Sequence, residues 1–291
     1  MEMIILKKVR KAVIPVAGMG TRFLPVTKSV PKEMLPIIDK PTLQYIVEEC
    51  VESGIEEILF ITSPYKRNIE DHFDQSFELE SRLAKNNKLK ELEMVQNISK
   101  MCKIYYIRQG EPLGSGHAIK LAKSFIGDEP FAVLYGDDLM KSSTNKPVLK
   151  QLIDVYEKYD CNVIGVQEVD PSLVYKYGII EFEKDDKIKS IVEKPNVEAA
   201  PSNFAGLGRY IVKPEIFLEL DNLSQGKGNE YQFTDGMLNL MQKQDFYACK
   251  FKGTYYDIGN QLGYIKANIA FALERDDLKD DLKSYINNLI K

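Results

Sequence analysis

Along the first part of the chain, short apolar runs rich in β-branched residues alternate with segments whose apolar positions recur at helical spacing. The run that starts at Ala12 stops at Ala17-Gly18, and a Gly-x-Gly-x-Arg turn follows where a first strand should open into a loop. After Asp39-Lys-Pro41, the residues Leu43, Ile46, Val47, Cys50 and Val51 keep a helical period until Gly54 ends it. Glu57 to Thr62 is continuously apolar after its first residue, as a strand buried on both faces requires, and Pro64 opens a helix around Lys66 to Phe73. Residues Phe77 to Ile98, rich in Leu, Lys and Glu, predict a helical excursion, and Lys103 to Arg108 resumes the strands. A glycine-rich turn from Gln109 to Ala118 then leads into a helix through Leu121. Phe131 to Asp138 predicts a strand whose C-terminal end carries two adjacent carboxylates, followed by a helix (about Val148 to Tyr156) and a strand (Asn162 to Gln167).

The second half changes character. Gly178 to Glu183, the turn Lys184-Asp-Asp-Lys187 and Ile188 to Glu193 form a hairpin pattern ended by Lys194-Pro195. A strand near Arg209 to Val212, helices near Pro214 to Leu220 and Asp235 to Gln242, a strand at Phe246 to Phe251 and terminal helices at Gln261 to Leu273 and about Lys279 to Leu289 complete the chain. The pattern predicts an α/β fold: a Rossmann-like mixed, mainly parallel sheet flanked by helices, with a smaller β-hairpin region and C-terminal helices. Ligands of such sheets sit at the carboxyl ends of the strands, where the glycine loop and the Asp pair both fall. No linker or repeat divides the chain, so residues 1–291 are expected to form one domain. Within it, about 10–170 makes a first half, about 171–260 a second and about 261–291 a helical end.

Composition narrows the class. With 44% apolar and 28% charged residues the chain is an ordinary globular one, and its net charge of -4 argues against nucleic acid as a partner. The four cysteines are far apart, without a C-x-x-C pair, and only two histidines are present, which points to reduced thiols, a cytoplasmic location and no zinc. The apolar run 3–6 is too short for a secretory segment, and no uncharged stretch approaches a membrane span, so no membrane partner is expected.

Any anion site must therefore be locally basic. Gly18 and Gly20 let backbone N–H groups approach anionic oxygens, and Arg22 and Lys32 add cations, although the same glycines suit a plain turn. The dinucleotide fingerprint G-x-G-x-x-G fails because Phe23 occupies its last position, and the only Gly-Lys pair, Gly226-Lys227, is followed by Gly228 instead of Ser or Thr. Asp137-Asp138 can be a solvated strand end. At the rim of a cleft, however, Asp137 with Asp257 suits a hard cation such as magnesium, which takes one or two carboxylates plus substrate phosphates, and Asp138 suits a hydrogen-bonding role. Glu193-Lys194 is either a charged hairpin tip or a carboxylate for sugar hydroxyls beside an ammonium for a phosphate. Gln109 can read a base edge through its bifunctional amide or be an ordinary loop residue, and His117 suits a helix start better than catalysis. No Ser-His-Asp or Cys-His arrangement is visible.

In the stretches Pro15 to Pro25, Pro31 to Pro36, Gln109 with Leu113 to Ala118, Gly136 to Asp138, Tyr177 to Ile179, Val192 to Pro195, Glu230 to Asp235 and Tyr256 to Gly259, the sequence resembles the bacterial UTP-glucose-1-phosphate uridylyltransferases (UDP-glucose pyrophosphorylases) of the wider sugar-nucleotidyltransferase family. Val16, Met19 and Ser115 depart from the usual pattern without removing a charge. The resemblance implies that Ala17, Gly18, Gly20 and the following amides hold the nucleotide, that Gln109 and Gly114 contact the uracil, and that Asp138 lies near the ribose. Glu33 stands where thymidylyltransferases usually carry Gln. The resemblance also places Asp137 and Asp257 on the metal, Gly178, Glu193 and Lys194 on the sugar phosphate, with Asn203 added to that set, and Arg22 and Lys32 against the triphosphate. The catalytic cations would be Arg22, Lys32 and Lys194.

The implied reaction joins UTP and glucose-1-phosphate into UDP-glucose and pyrophosphate, with Mg2+ as cofactor. The attacking phosphate oxygen is already ionised at neutral pH, so the absence of a catalytic triad is expected. The alternatives are thymidylyl or other sugar-phosphate nucleotidyl transfer, or a non-catalytic sugar-nucleotide sensor, which should have lost some of Arg22, Lys32, Asp137, Lys194 and Asp257. The resemblance further suggests a homodimer or homotetramer.

Overall fold

A computed structural model describes residues 6–226 and 229–289; residues 3–5 of the N-terminal apolar run and Lys227 of the Gly-Lys pair lie outside them. Strand β1 (Lys11–Pro15) is followed by three short 3-10 turns, the two-residue strands β2 (Pro36–Ile37) and β3 (Lys40–Pro41), and helix α1 (Thr42–Glu52). Next come β4 (Glu57–Thr62), α2 (Arg67–Phe73), α3 (Phe77–Lys85), α4 (Leu89–Ser99), β5 (Lys103–Arg108), α5 (Ser115–Lys120), α6 (Lys123–Ile126) and β6 (Phe131–Leu134). The chain continues through β7 (Asp138–Ser142), α7 (Val148–Tyr159), β8 (Asn162–Glu168), the hairpin β9 (Gly178–Lys184) and β10 (Lys187–Glu193), and the long strand β11 (Phe204–Val212). Helices α8 (Ile216–Asp221) and α9 (Phe233–Met241), strands β12 (Phe246–Lys250) and β13 (Gly253–Asp257), and helices α10 (Gln261–Ala272) and α11 (Lys279–Leu289) end it.

Nine strands form one sheet in the order β5-β4-β1-β6-β11-β8-β12-β10-β9. Its first four strands and the β8/β12 pair are parallel, as helix-linked strands must be, while β11 and the β9/β10 hairpin run antiparallel to their neighbours. Side-chain alternation divides the core between the two faces. Ala12, Ile14, Ile58 and Phe60 pack with α1, α2 and α7, whereas Val13, Leu59 and Ile61 pack with α5, α8 and α9. Each fully buried Ile or Leu contributes about 1.5–3 kcal/mol to this layering. No described helix is long and apolar enough to cross a membrane.

One expected element is divided. The strand starting at Phe131 ends at Leu134, and Asp138 opens a separate strand, β7, which pairs with β13 outside the main sheet. The cause is a turn at Tyr135 to Asp137. Tyr135 N–H donates to Gly208 O at 3.0 Å, and Gly136 lies so close to the first strand that a Cβ there would meet Val16 Cγ1 at 2.7 Å. The two carboxylates consequently leave the sheet in different directions.

Buried charge ties the elements beneath this turn together. Arg209, fully buried on β11, donates from Nη2 to Glu49 Oε2 at 2.7 Å and from Nη1 to Gly208 O at 3.0 Å. Glu49 Oε1 also accepts the Leu149 N–H in the first turn of α7 at 2.9 Å. The salt bridge thus fixes α1, α7 and β11 around Gly208.

Candidate active site

At the carboxyl ends of the central strands a cleft opens in two lobes. The first, of about 240 Å3, is lined by Ala17, Gly18, Lys32, Glu33, Gln109 and Gly114, together with Pro15, Pro112, Ala118 and Glu230. The second, of about 300 Å3, is lined by Asp138, Gly178, Glu193 and Lys194, with Lys176, Tyr177, Gly208, Gln232 and Tyr255 among the rest. Ser115 and Tyr135 belong to both, so they form the wall where the lobes meet.

The first lobe is built by the loop after β1. Gly20 adopts φ 65, and a Cβ there would press on Lys32 Cβ at 3.2 Å and Thr27 Cγ2 at 3.3 Å, so glycine suits both the backbone and the space. Gly114, at φ 102, approaches Tyr231 even more closely: a Cβ would lie 2.6 Å from the Tyr231 carbonyl oxygen. That approach lets the segments 113–116 and 230–233 exchange hydrogen bonds, Gly116 N–H to Tyr231 O and Tyr231 N–H to Leu113 O, both at 2.8 Å.

Glu33 is only 1% exposed, and both its oxygens accept from the Lys66 ammonium, at 2.8 and 2.7 Å. Burial pushes the Glu33 carboxyl up, against the opposing pull of Lys66 and Lys32, and pushes Lys66 down against the pull of Glu33. Each partner therefore depends on the other. Lys66→Met is expected to destabilise the fold by about 3 kcal/mol, read as a lower urea midpoint, because a buried carboxylate is left unpaired. Since burial already raises Glu33, the penalty is largest at neutral pH and narrows as the pH falls and the carboxyl takes up a proton. The additional change Glu33→Gln should recover part of the loss.

At the mouth between the lobes, the β7/β13 pair sets Asp138 opposite Asp257, and Ile258 N–H donates to Asp137 O at 3.1 Å. Oxygens of Asp137 and Asp257 converge on one point, the place a Cβ on Gly259 would take, at 2.8 and 3.1 Å. The Lys32 ammonium also pairs with Asp137. Burial alone would depress Lys32, but the charges of Asp137 and Glu33 outweigh it and hold the ammonium above its ordinary value. Two convergent carboxylates with solvent-facing edges suit a hard divalent cation that keeps waters or phosphate oxygens as its other ligands. Among the described residues no group of three or more His, Cys, Asp or Glu side chains is placed to hold a metal by itself.

Asp138 faces the second lobe, where Tyr255 Oη donates to its Oδ1 at 2.8 Å. Burial first, and then the Asp137 charge, push its carboxyl well above the usual range, while the Tyr255 hydrogen bond pulls the other way. Gly208 makes room for it, since a Cβ there would fall 2.0 Å from Asp138 Oδ2. Across the lobe, Lys194 closes the hairpin in the left-handed region at φ 48, with its N–H on Tyr177 O at 2.9 Å and its ammonium 3.2 Å from Glu193.

Five expected residues stand apart from the lining: Asp137 and Asp257, which meet beside Gly259, and Gly20, Arg22 and Asn203. Gly20 shapes the loop from behind. Arg22 is exposed, with Nη1 3.5 Å from Gly259 O, which puts it beside the paired carboxylates instead of inside a lobe. Asn203 precedes β11 and gives its carbonyl to Val169 N–H at 2.9 Å, and it lines neither lobe. Conversely, Lys176, Tyr255, Gly208 and Lys66 were not singled out by sequence. Lys176 and Tyr255 adjoin recognised motifs, which is a usable signal; Gly208 and Lys66 act through long-range packing and carry none. Lys176 is the one lobe ammonium without a carboxylate within 4.0 Å among the described residues.

A family model described as Nucleotidyl transferase matches residues 11–273. The Bacillus subtilis (strain 168) UTP–glucose-1-phosphate uridylyltransferase YngB is 52% identical over 289 residues, which cover 98% of this chain and 97% of that protein. Two solved structures share the architecture. A UDP-glucose pyrophosphorylase complexed with UDP-glucose is 44% identical, with a TM-score of 0.84, covering 92% of this chain and all of that one. The UTP-bound UGPase from Acinetobacter baumannii is 38% identical, with a TM-score of 0.89, covering 97% and 99%. Matched over most of its length by the family model, and by relatives that are themselves nearly covered, this chain belongs to the nucleotidyl transferase family.

Proposed function

We propose that this chain transfers the uridylyl group of UTP to glucose-1-phosphate, releasing pyrophosphate and forming UDP-glucose. The observation that carries the reading is a two-lobed cleft whose shared mouth holds Lys32, Asp137 and Asp257, with a further lysine, Lys194, in the second lobe. The activities named for the relatives at half identity support the choice of nucleotide and sugar.

In this reading Ala17, Gly18, Glu33, Gln109 and Gly114 hold the nucleotide in the first lobe, and Gly178, Glu193 and Lys194 hold the sugar phosphate in the second. Asp138, beside the wall, takes the ribose. A phosphate oxygen of glucose-1-phosphate attacks the α-phosphorus of UTP in line, the bond to the β-phosphate oxygen breaks, and pyrophosphate departs with that electron pair. The nucleophile is already anionic, so the chain needs alignment and charge neutralisation more than a general base. Lys194 draws the incoming phosphate towards the wall, while Lys32 and Arg22 offset charge on the triphosphate side. Asp137 and Asp257 would hold magnesium, which when bound supplies charge neutralisation and orientation of phosphate oxygens. The free thiols Cys50, Cys102, Cys161 and Cys249 agree with a cytoplasmic setting, and a homodimer or homotetramer is the assembly in which we place the chain.

The deciding assay is pyrophosphate release from UTP, dTTP, CTP, ATP and GTP with glucose-1-phosphate and magnesium. UTP is expected to exceed each of the others by at least about tenfold. No release with any nucleotide would favour a non-catalytic sensor.

A further inference from the structure

We infer that His117 determines which pyrimidine the first lobe accepts, by fixing the Gln109 amide so that only its carbonyl oxygen remains for a ligand; the inference rests on the nucleotide reading of that lobe. Gln109 is 6% exposed and directly follows β5, where its backbone N–H donates to Thr62 O at 2.8 Å. Its side-chain nitrogen lies 3.2 Å from Gly114 O and 3.0 Å from His117 Nδ1. A carbonyl oxygen can only accept, so the amide nitrogen, not its oxygen, must face Gly114; a flipped amide would set two acceptors against each other. The second amide hydrogen then points to His117 Nδ1, which must be the acceptor. The tautomer this contact requires carries its ring proton on Nε2.

This leaves Gln109 with no hydrogen for a ligand. Its Oε1 is a lone acceptor in a lined lobe, and it requires an N–H on the edge it reads. Uracil and thymine offer N3–H there, whereas cytosine offers a lone pair at N3 and would place acceptor against acceptor. The arrangement needs Gly114 as well, since the left-handed turn at that residue, packed on Tyr231, is what puts its carbonyl in reach. His117 thus acts as a positioning residue, through an amide that it orients without touching the base itself.

The test compares the UTP-to-CTP ratio of kcat/KM in the wild type, His117→Phe and His117→Asn. His117→Phe removes the acceptor, leaves the second amide hydrogen of Gln109 free to meet a ligand acceptor, and is expected to lower the ratio by at least about tenfold. His117→Asn can return a carbonyl to the Nδ1 position and is expected to keep the ratio within about threefold of wild type. A role confined to packing would depress both nucleotides alike, so an unchanged ratio in His117→Phe overturns the inference, as does a wild type that uses CTP as well as UTP. Calorimetric binding of UTP and CTP reads the same ratio without turnover, so the comparison stands even if no transferase activity is found. Should His117→Phe fail to fold, 15N NMR of the wild-type imidazole decides: a proton on Nε2 with a bare Nδ1 supports the inference, and the opposite tautomer or a doubly protonated ring overturns it.

Discussion

Asn in place of Asp137 is expected to lower turnover by about 10^2- to 10^3-fold while leaving the protein folded. The substitution preserves shape: the backbone carbonyl of residue 137 still accepts the Ile258 N–H, and the amide oxygen of Asn can still accept from the Lys32 ammonium. What disappears is one of the two charges converging beside Gly259, together with the counter-ion of Lys32. With that anion gone, burial acts on the Lys32 ammonium with less opposition, so the cation that we propose faces the triphosphate is also weakened. Two effects then act in one direction. Pyrophosphate release measured over a magnesium series checks the claim: turnover close to wild type at saturating magnesium would remove Asp137 from the metal site, whereas a persistent loss with an unchanged urea midpoint fits the role argued for it.

The same carboxylate shows where sequence reading succeeded and where it stopped. The strands Glu57–Thr62 and Lys103–Arg108 were legible to the residue, the first because a strand covered on both faces is apolar almost throughout, the second because its apolar and aromatic centre is bounded by charged residues at a half-exposed sheet edge. The glycine loop and the two acids were legible as candidates, because few residue types can serve an anion or a hard cation, and the structure places the loop along the first lobe and brings Asp137 and Asp257 together beside Gly259. The division of Phe131 to Asp138 into a sheet strand and a separate ribbon was not. It depends on Gly136 packing against Val16 and on Tyr135 bonding to Gly208, contacts between segments far apart in sequence. Lys66 was hidden for the same reason: its partner Glu33 lies in another loop, and nothing local in the Pro64 turn indicates a buried ammonium. His117 was read as a helix start, which it is, and its contact to Gln109 follows only when the turn between them is built.

Arg22 and Asn203 illustrate the converse. Their residue types fitted the motifs, but only the structure shows that Arg22 reaches the Gly259 carbonyl beside the paired carboxylates and that Asn203 gives its backbone carbonyl to Val169 N–H. Motif position fixes the order along the chain; the direction of a side chain depends on the turn that carries it.

Lys194 offers the sharpest separation of function from stability. Replacing it with Met is expected to raise KM for glucose-1-phosphate and lower kcat, reducing kcat/KM for that substrate by about 10^2-fold or more, while KM for UTP stays within about twofold. The ammonium belongs to the second lobe alone, so the loss should fall on one substrate; an equal loss for both, or kinetics like wild type, would remove it from the sugar-phosphate site. Its backbone adds a second handle. At φ 48 a side chain carries strain of about 1–2 kcal/mol that glycine does not, and such outliers persist where the surrounding structure holds them. Lys194→Gly should therefore keep the thermal midpoint near wild type, since relief of the left-handed strain offsets the entropy cost of glycine, and should lose activity as fully as the Met variant. Loss of turnover without loss of stability in both variants would mark the Lys194 ammonium as serving a ligand instead of the fold, and a lower midpoint in Lys194→Gly would count against that.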